Sequence, residues 1–187
     1  MKDGDLLLID AGAEYNCYAS DISRTFPVNG TFSPEQRALY AIVLDAQYAA
    51  FDKCKSGVGW NEPHEAAVQV IAQGLLDEGL LSGSLEQVIE TQTYRQFYMH
   101  RTGHWLGMDV HDVGDYKVDE TWRDLEPGMV FTVEPGIYVS PTNDVDPRWH
   151  NIGIRIEDNV LIQKEGYENL TAGAPKTIDE IEAVMAG

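Results

Sequence analysis

The sequence predicts an α+β domain. Runs of strand length open the chain and return from residue 129, the two long stretches of apolar positions at helical spacing lie between them, and no strand–helix–strand repeat joins them. With 187 residues, 43% of them hydrophobic, the chain is long enough to bury a proper core as one large domain. No internal repeat, low-complexity tract or Gly/Pro/Ser-rich linker marks a boundary within it.

Leu6-Leu7-Leu8-Ile9 is the first strand candidate, closed by Asp10-Ala11-Gly12. A second run, 17–26, alternates loosely. A hairpin turning near Tyr15-Asn16 sets Asp10 opposite Asp21, so that both side chains converge on one face. Ser33-Pro34-Glu35-Gln36 starts a helix: Ser33 caps it, Pro34 takes the first helical position and Gln36 closes a capping box. Leu39, Ile42, Val43, Ala46 and Ala50 carry this helix to about residue 53. A second helix spans 62–77 and ends before Gly79, and Gly83-Ser84 opens a shorter one. The runs 129–134 and 152–162 then read as strands, separated by Pro135-Gly136 and a Pro/Asn/Asp loop at 141–151. Thr177 with Glu180 caps a final short helix.

Thirteen basic residues against thirty-one acidic ones give a formal charge of −18. No basic stripe is available for phosphates, which excludes duplex nucleic acid as a partner and disfavours an anionic membrane surface. The first residues form neither a signal peptide nor a membrane span. Two cysteines, Cys17 and Cys54, make neither a disulfide framework nor a metal knuckle. The expectation is a reduced, cytoplasmic protein.

Four acids sit where acids are costly unless employed. Asp10 ends an apolar strand, Asp21 lies in a β-like run, Glu134 follows Val130-Phe131-Thr132-Val133, and Glu157 closes Ile154-Arg155-Ile156. Strand alternation sends any one of them alone to solvent. Four together, with few basic residues nearby in sequence, call for a cation, and a metal supplies it most simply. Three of the five histidines, His100, His104 and His111, lie within residues 98–112. His100 and His104 have helical spacing, but no glutamate follows the first as a zinc-protease helix requires, and the intervening glycines oppose a regular helix. A three-histidine zinc site lacks a fourth partner at a recognisable spacing. The glycines instead suggest a backbone shaped to aim side chains into a cleft. One histidine with four carboxylates is an oxygen-dominated set that suits manganese above all, with cobalt, iron or zinc as competitors. Bridging carboxylates hold two such ions roughly 3.5–4 Å apart and acidify a shared water, which is the chemistry of hydrolysis.

Seven segments carry a resemblance: Ile9-Asp10-Ala11-Gly12, the run from Ser20 to Pro27, Gly103-His104-Trp105-Leu106-Gly107, the run from Asp109 to Gly114, Leu125-Glu126-Pro127-Gly128-Met129, Val133-Glu134-Pro135-Gly136, and the run from Gly153 to Asp158. Together, in this order and over nearly the whole chain, they resemble the Xaa-Pro aminopeptidase branch of the pita-bread metallopeptidases, to which prolidases are close relatives.

The resemblance implies a pita-bread fold of the creatinase/aminopeptidase type and two divalent metal ions, with Asp10, Asp21, His104, Glu134 and Glu157 as ligands. It implies that Asp10 chelates one ion, that Asp21 and Glu157 bridge both, and that His104 and Glu134 serve the second. It implies further that Glu134 is the general base and that His111 is the substrate-binding and catalytic histidine near the scissile carbonyl. His100, Tyr138 and Arg155 match positions that wall the pocket for a proline ring. Asp109 and Asp112 have no assigned role beyond that of loop polar groups or supports for the ligands. Only nine residues precede Asp10, so residues 1–187 are expected to be a partial, N-terminally truncated catalytic domain lacking its first strands and helices, with weakened activity and a tendency to form a homo-oligomer. The implied substrate is a peptide with proline at its second position. A prolidase acting on dipeptides and a non-catalytic metal-binding module are the alternatives.

Overall fold

The computed structural model describes residues 1–187. β1 (Leu6–Ala11) leads into a tip hairpin of β2 (Glu14–Tyr15) and β3 (Tyr18–Ala19), and the chain returns as β4 (Ile22–Pro27). The expected run 17–26 is thus broken at Ser20-Asp21. Asn16 and Cys17, both at positive φ, make the tight turn between β2 and β3. β1 and β4 are antiparallel with Asp10 opposite Ser23 rather than Asp21. Because side chains alternate with period 2, a shift of two residues keeps Asp10, Asp21 and Ser23 on one face. The convergence expected from the hairpin therefore survives the change of register.

α1 (Pro34–Phe51) starts with the expected capping box between Ser33 and Gln36, and α2 (Glu62–Asp77) follows with the expected bounds. α3 (Leu85–Glu90), capped by Ser84, completes the helical middle. Small hairpin strands β5 (Lys117–Val118) and β6 (Thr121–Trp122) precede β7 (Val130–Val133) and β8 (Gly136–Val139). The run 152–162 is not one strand. It divides into β9 (Ile152–Arg155), paired with β8, and β10 (Asp158–Ile162), paired with β7 on one side and with β11 (Tyr167–Asn169) on the other. α4 (Ile178–Ala186) closes the chain with its own capping box from Thr177 to Glu180.

α1 packs against α2 on one side and against β7, β8 and β9 on the other. Leu39, Tyr40, Val43 and Ala46 of α1, Ile71 and Leu75 of α2, and Ile137, Ile154 and Ile156 of the strand region are fully buried. Each such aliphatic side chain contributes about 1.5–3 kcal/mol by leaving water. This core sits behind the strand ends, and the polar cluster described next sits in front of them. No helix is long and apolar enough to cross a membrane.

Candidate metal centre

Each acid is delivered by a strand that stops or bends at it. Asp10 is near the end of β1, Asp21 precedes β4, Glu134 directly follows β7, and Glu157 lies in the break between β9 and β10. A buried amide sits beside this break. Gln47, a fully buried residue of α1, donates from its amide to the carbonyls of Val133 (3.1 Å) and Ile156 (3.2 Å), the residues just before the two glutamates. Gln47 thus ties the residues just before both glutamates to one buried side chain of α1.

His104 arrives from a loop that runs antiparallel beside β7. The Glu134 N–H donates to Thr102 O (2.8 Å), Thr132 N–H to His104 O (3.0 Å) and Leu106 N–H to Val130 O (3.2 Å). Gly103 lets this loop lie against β7: a Cβ there would stand 2.0 Å from the Thr132 carbonyl oxygen. Gly12 has the same role in the hairpin, where a Cβ would stand 1.8 Å from Ser20 O. The His104 Nδ1 is 2.9 Å from Trp105 O. A carbonyl only accepts, so Nδ1 carries a proton and Nε2 is the nitrogen turned toward the acids.

One ligand atom from each of Asp21, His104 and Glu157 lies within 4.8 Å of the other two. His104 Nε2 is 3.3 Å from Glu134 Oε1 and 3.5 Å from Asp21 Oδ2, longer than good hydrogen bonds. Ser23 ties in the remaining acid, its hydroxyl lying 2.9 Å from Asp10 Oδ1 and 2.6 Å from Glu157 Oε2. All five expected ligand positions are therefore brought together, and the expected absence of a nearby cation is corrected. The Arg155 guanidinium donates to Asp10 Oδ2 (2.6 Å) and to Ser23 Oγ (2.9 Å), and lies 3.9 Å from Glu157 Oε2. It reaches Asp10 across the fold from a strand distant in sequence. One guanidinium against four carboxylates still leaves a cluster rich in oxygen donors. A hard divalent cation fits that donor set.

Arg155 also donates to Tyr138 Oη (3.3 Å), and His100 Nε2 lies 2.9 Å from the same oxygen. His100, Tyr138 and Arg155 thus form one wall. His111 stands exposed on the other side of His104, with ring centroids 4.3 Å apart, and shares with Asp10, Asp21 and Met108 a cleft of ≈ 610 Å³. Asp109 lines the same cleft, whereas Asp112 accepts from the N–H of its neighbour Val113 (2.9 Å). Four residues at the site were not singled out from the sequence. Ser23 and Thr132 bond the carboxylates directly, Thr132 donating to Glu134 Oε1 at 3.1 Å. Asn159 accepts from the Asp21 N–H at 3.0 Å, and Gln47 sets the strand ends. Ser23 alone carried a signal, since it is two residues from Asp21 on the same strand face.

The family follows from comparison. A model of metallopeptidase family M24 matches residues 1–164. The chain belongs to metallopeptidase family M24. Members use divalent metal ions, in keeping with the donor set above. The M24 chain is 52% identical over 185 residues to a Xaa-Pro aminopeptidase of Haemophilus influenzae, covering 99% of the chain and 43% of that relative. It superimposes on the aminopeptidase PepP of Pseudomonas aeruginosa with a TM-score of 0.98 and 60% identity, covering 100% of the chain and 42% of that structure. A zinc-substituted Escherichia coli aminopeptidase P in complex with product gives 0.95 and 48%, with the same coverage of 100% and 42%. The M24 chain thus has the α+β pita-bread fold of these structures over the part it covers, and it spans less than half the length of the relatives it matches.

Burial pushes the Glu134 carboxyl up to about 7 and the Glu157 carboxyl up to about 8, and repulsion among the clustered acids adds to this. Asp21 is raised as well, by burial first and by Asp10 next. In the metal-free M24 chain, the folded state therefore holds protons that the unfolded state, with carboxyls near 4.5, has released. Stability contributed this way is present below that value and is lost as pH rises through about 8. His64 acts oppositely: burial lowers its imidazole to about 4, so its contribution grows up to the unfolded value of 6.5 and is then constant. Between 6.5 and about 8 only the acids act, and the thermal midpoint of metal-free protein is expected to fall. Divalent metal should remove the fall, and a midpoint rising over this window without metal would contradict the acid cluster.

Proposed function

We propose that this chain carries the metal and substrate site of a dinuclear-metal aminopeptidase that hydrolyses the bond between an N-terminal residue and a following proline. The observation that carries the reading is the convergence of four carboxylates and the His104 Nε2 in front of the strand ends, in an M24 chain whose relatives are named Xaa-Pro aminopeptidases. Asp10, Asp21, His104, Glu134 and Glu157 would hold the two ions, manganese being the one best suited to an oxygen-rich set. When bound, the ions polarise the scissile carbonyl and acidify water.

The chain's own groups do the rest. Glu134, held at the end of β7 by the Thr132 hydroxyl, takes the proton of the attacking water. Thr132 and the Thr102 carbonyl fix its side chain and backbone so that no reorganisation is needed at that step. His111, at the mouth of the cleft, reaches the carbonyl of the substrate and hydrogen-bonds it. His100, Tyr138 and Arg155 form the wall against which the proline ring packs, and their mutual hydrogen bonds keep that wall rigid. Proline rewards such a wall because its imide has no N–H for backbone contacts and its ring fixes φ. The dipeptidase and non-catalytic alternatives are not favoured, since the relatives are aminopeptidases by name and the donor set is whole.

The test is hydrolysis of matched Xaa-Pro and Xaa-Ala peptides by metal-stripped and metal-restored enzyme. Activity should return with divalent metal and select proline. Equal rates on both peptides would overturn the specificity, and full activity after chelation would overturn the metal requirement.

A further inference from the structure

Behind the site, a second set of charges is buried where no ligand or substrate reaches. Asp158 follows Glu157 and is fully inaccessible. Its Oδ1 accepts from Arg24 Nη2 (2.7 Å) and from the Thr171 hydroxyl (2.7 Å), and its Oδ2 accepts from Lys176 Nζ (2.7 Å). The Lys176 side chain is only 15% exposed and its ammonium lies 4.6 Å from the centre of the Phe51 ring. It also donates to Gln47 Oε1 (2.9 Å).

Two branches run forward from Lys176 to the ligand-bearing backbone. An ammonium only donates, so it turns the Gln47 oxygen toward itself and the Gln47 NH₂ toward the carbonyls of Val133 and Ile156, one residue before Glu134 and Glu157. On the other branch Asp158 holds Arg24, whose Nη1 donates to the carbonyls of Glu157 (2.6 Å) and Ser23 (2.9 Å). Arg24 is fastened further by the carbonyls of Pro175 (2.8 Å) and Ala174 (3.1 Å), neighbours of Lys176 in the chain. The stretch that supplies these groups lies beyond residue 164, where the family match ends. A buried ion network adds little net stability over apolar packing of equal volume, because desolvation offsets the attraction. What it does here that apolar packing would not is fix the amide of Gln47 and the fork of Arg24 in one orientation.

We propose that Lys176 is a positioning residue of the metal centre, holding Gln47 and Asp158 so that the backbone presents Glu134 and Glu157 at ligand distance, and that the C-terminal stretch is thereby part of the site. The proposal rests on Glu134 and Glu157 being ligands. It is tested by titrating Co²⁺ into the metal-free full chain, read by calorimetry and by the visible absorption of the bound ion, with the thermal midpoint of the metal-free protein measured alongside. Lys176→Met should weaken Co²⁺ binding about tenfold, the scale of lost support behind a ligand, and shift the absorption band. Lys176→Arg should recover most of both. Leu75→Ala, in the core of α2, should lower the thermal midpoint and leave the band and the affinity as they are. Should Lys176→Met not fold, Lys176→Gln removes the charge while keeping a donor and is expected to change the band in the same way. Unchanged affinity and band in the Lys176 variant, whatever its thermal midpoint, would overturn the proposal. Glu157→Ala separates the two readings: if it weakens Co²⁺ binding and the Lys176 variant does not, the positioning role alone falls. If Glu157→Ala is also silent, the ligand assignment falls and the positioning role with it.

Discussion

Replacing Glu134 by glutamine is expected to abolish peptide hydrolysis while leaving substantial metal bound. The amide is nearly isosteric, so its oxygen can still accept from the Thr132 hydroxyl, now 3.1 Å from Oε1, and can still coordinate weakly. The backbone is also undisturbed, because the 2.8 Å bond from the Glu134 N–H to Thr102 O does not involve the side chain. An amide cannot accept a proton from water, however, and loss of a positioned base costs on the order of 10²–10⁴ in rate. Steady-state kinetics and metal content measured on the same preparation check this. Turnover within tenfold of the parent at full metal occupancy would remove Glu134 from the proton-transfer step.

A large structural effect on the metal centre is expected from Gly103→Ala. A methyl group at this position meets a backbone carbonyl at 2.0 Å, with no flexible side-chain end to give way. Relief requires the loop from Thr102 to Leu106 to lift from β7, which breaks the pairing of His104 O with the Thr132 N–H and withdraws Nε2 from Glu134 and Asp21. A loss of about 3 kcal/mol or more is expected, above the usual range for a single added methyl because backbone itself must move. Urea denaturation would show it as a lower midpoint, and metal affinity should fall with it. A variant with the parent's midpoint and metal binding would mean that the loop is not held against β7 as described.

The local parts of the fold were legible because their causes are local. Ser33 with Gln36 and Thr177 with Glu180 are capping boxes within four residues, and both helices begin where these boxes place them. The hairpin that brings Asp10 and Asp21 together needed only period-2 alternation, which tolerates the two-residue error in register. The division of 152–162 into two strands was not legible, because the two halves pair with different strands, and the amide that holds the Ile156 carbonyl at the break belongs to Gln47, more than a hundred residues earlier and polar in a helix otherwise read by its apolar positions. Arg155 beside Asp10 and Lys176 beside Asp158 were hidden for the same reason: the partner of each charge is fixed by tertiary placement and not by spacing. The four acids could be nominated from their context, since acids in apolar strand runs conflict with burial unless something cationic meets them, whereas His104 was singled out among three histidines only by the family resemblance.

The most direct test of the account is the anomalous scattering of a crystal of this chain soaked in Mn²⁺. The account predicts two peaks roughly 3.5–4 Å apart, each within coordination distance of carboxylates from the set Asp10, Asp21, Glu134 and Glu157, with His104 Nε2 on one of them. Peaks elsewhere in the molecule, or a fully soaked crystal with none among these five side chains, would contradict it.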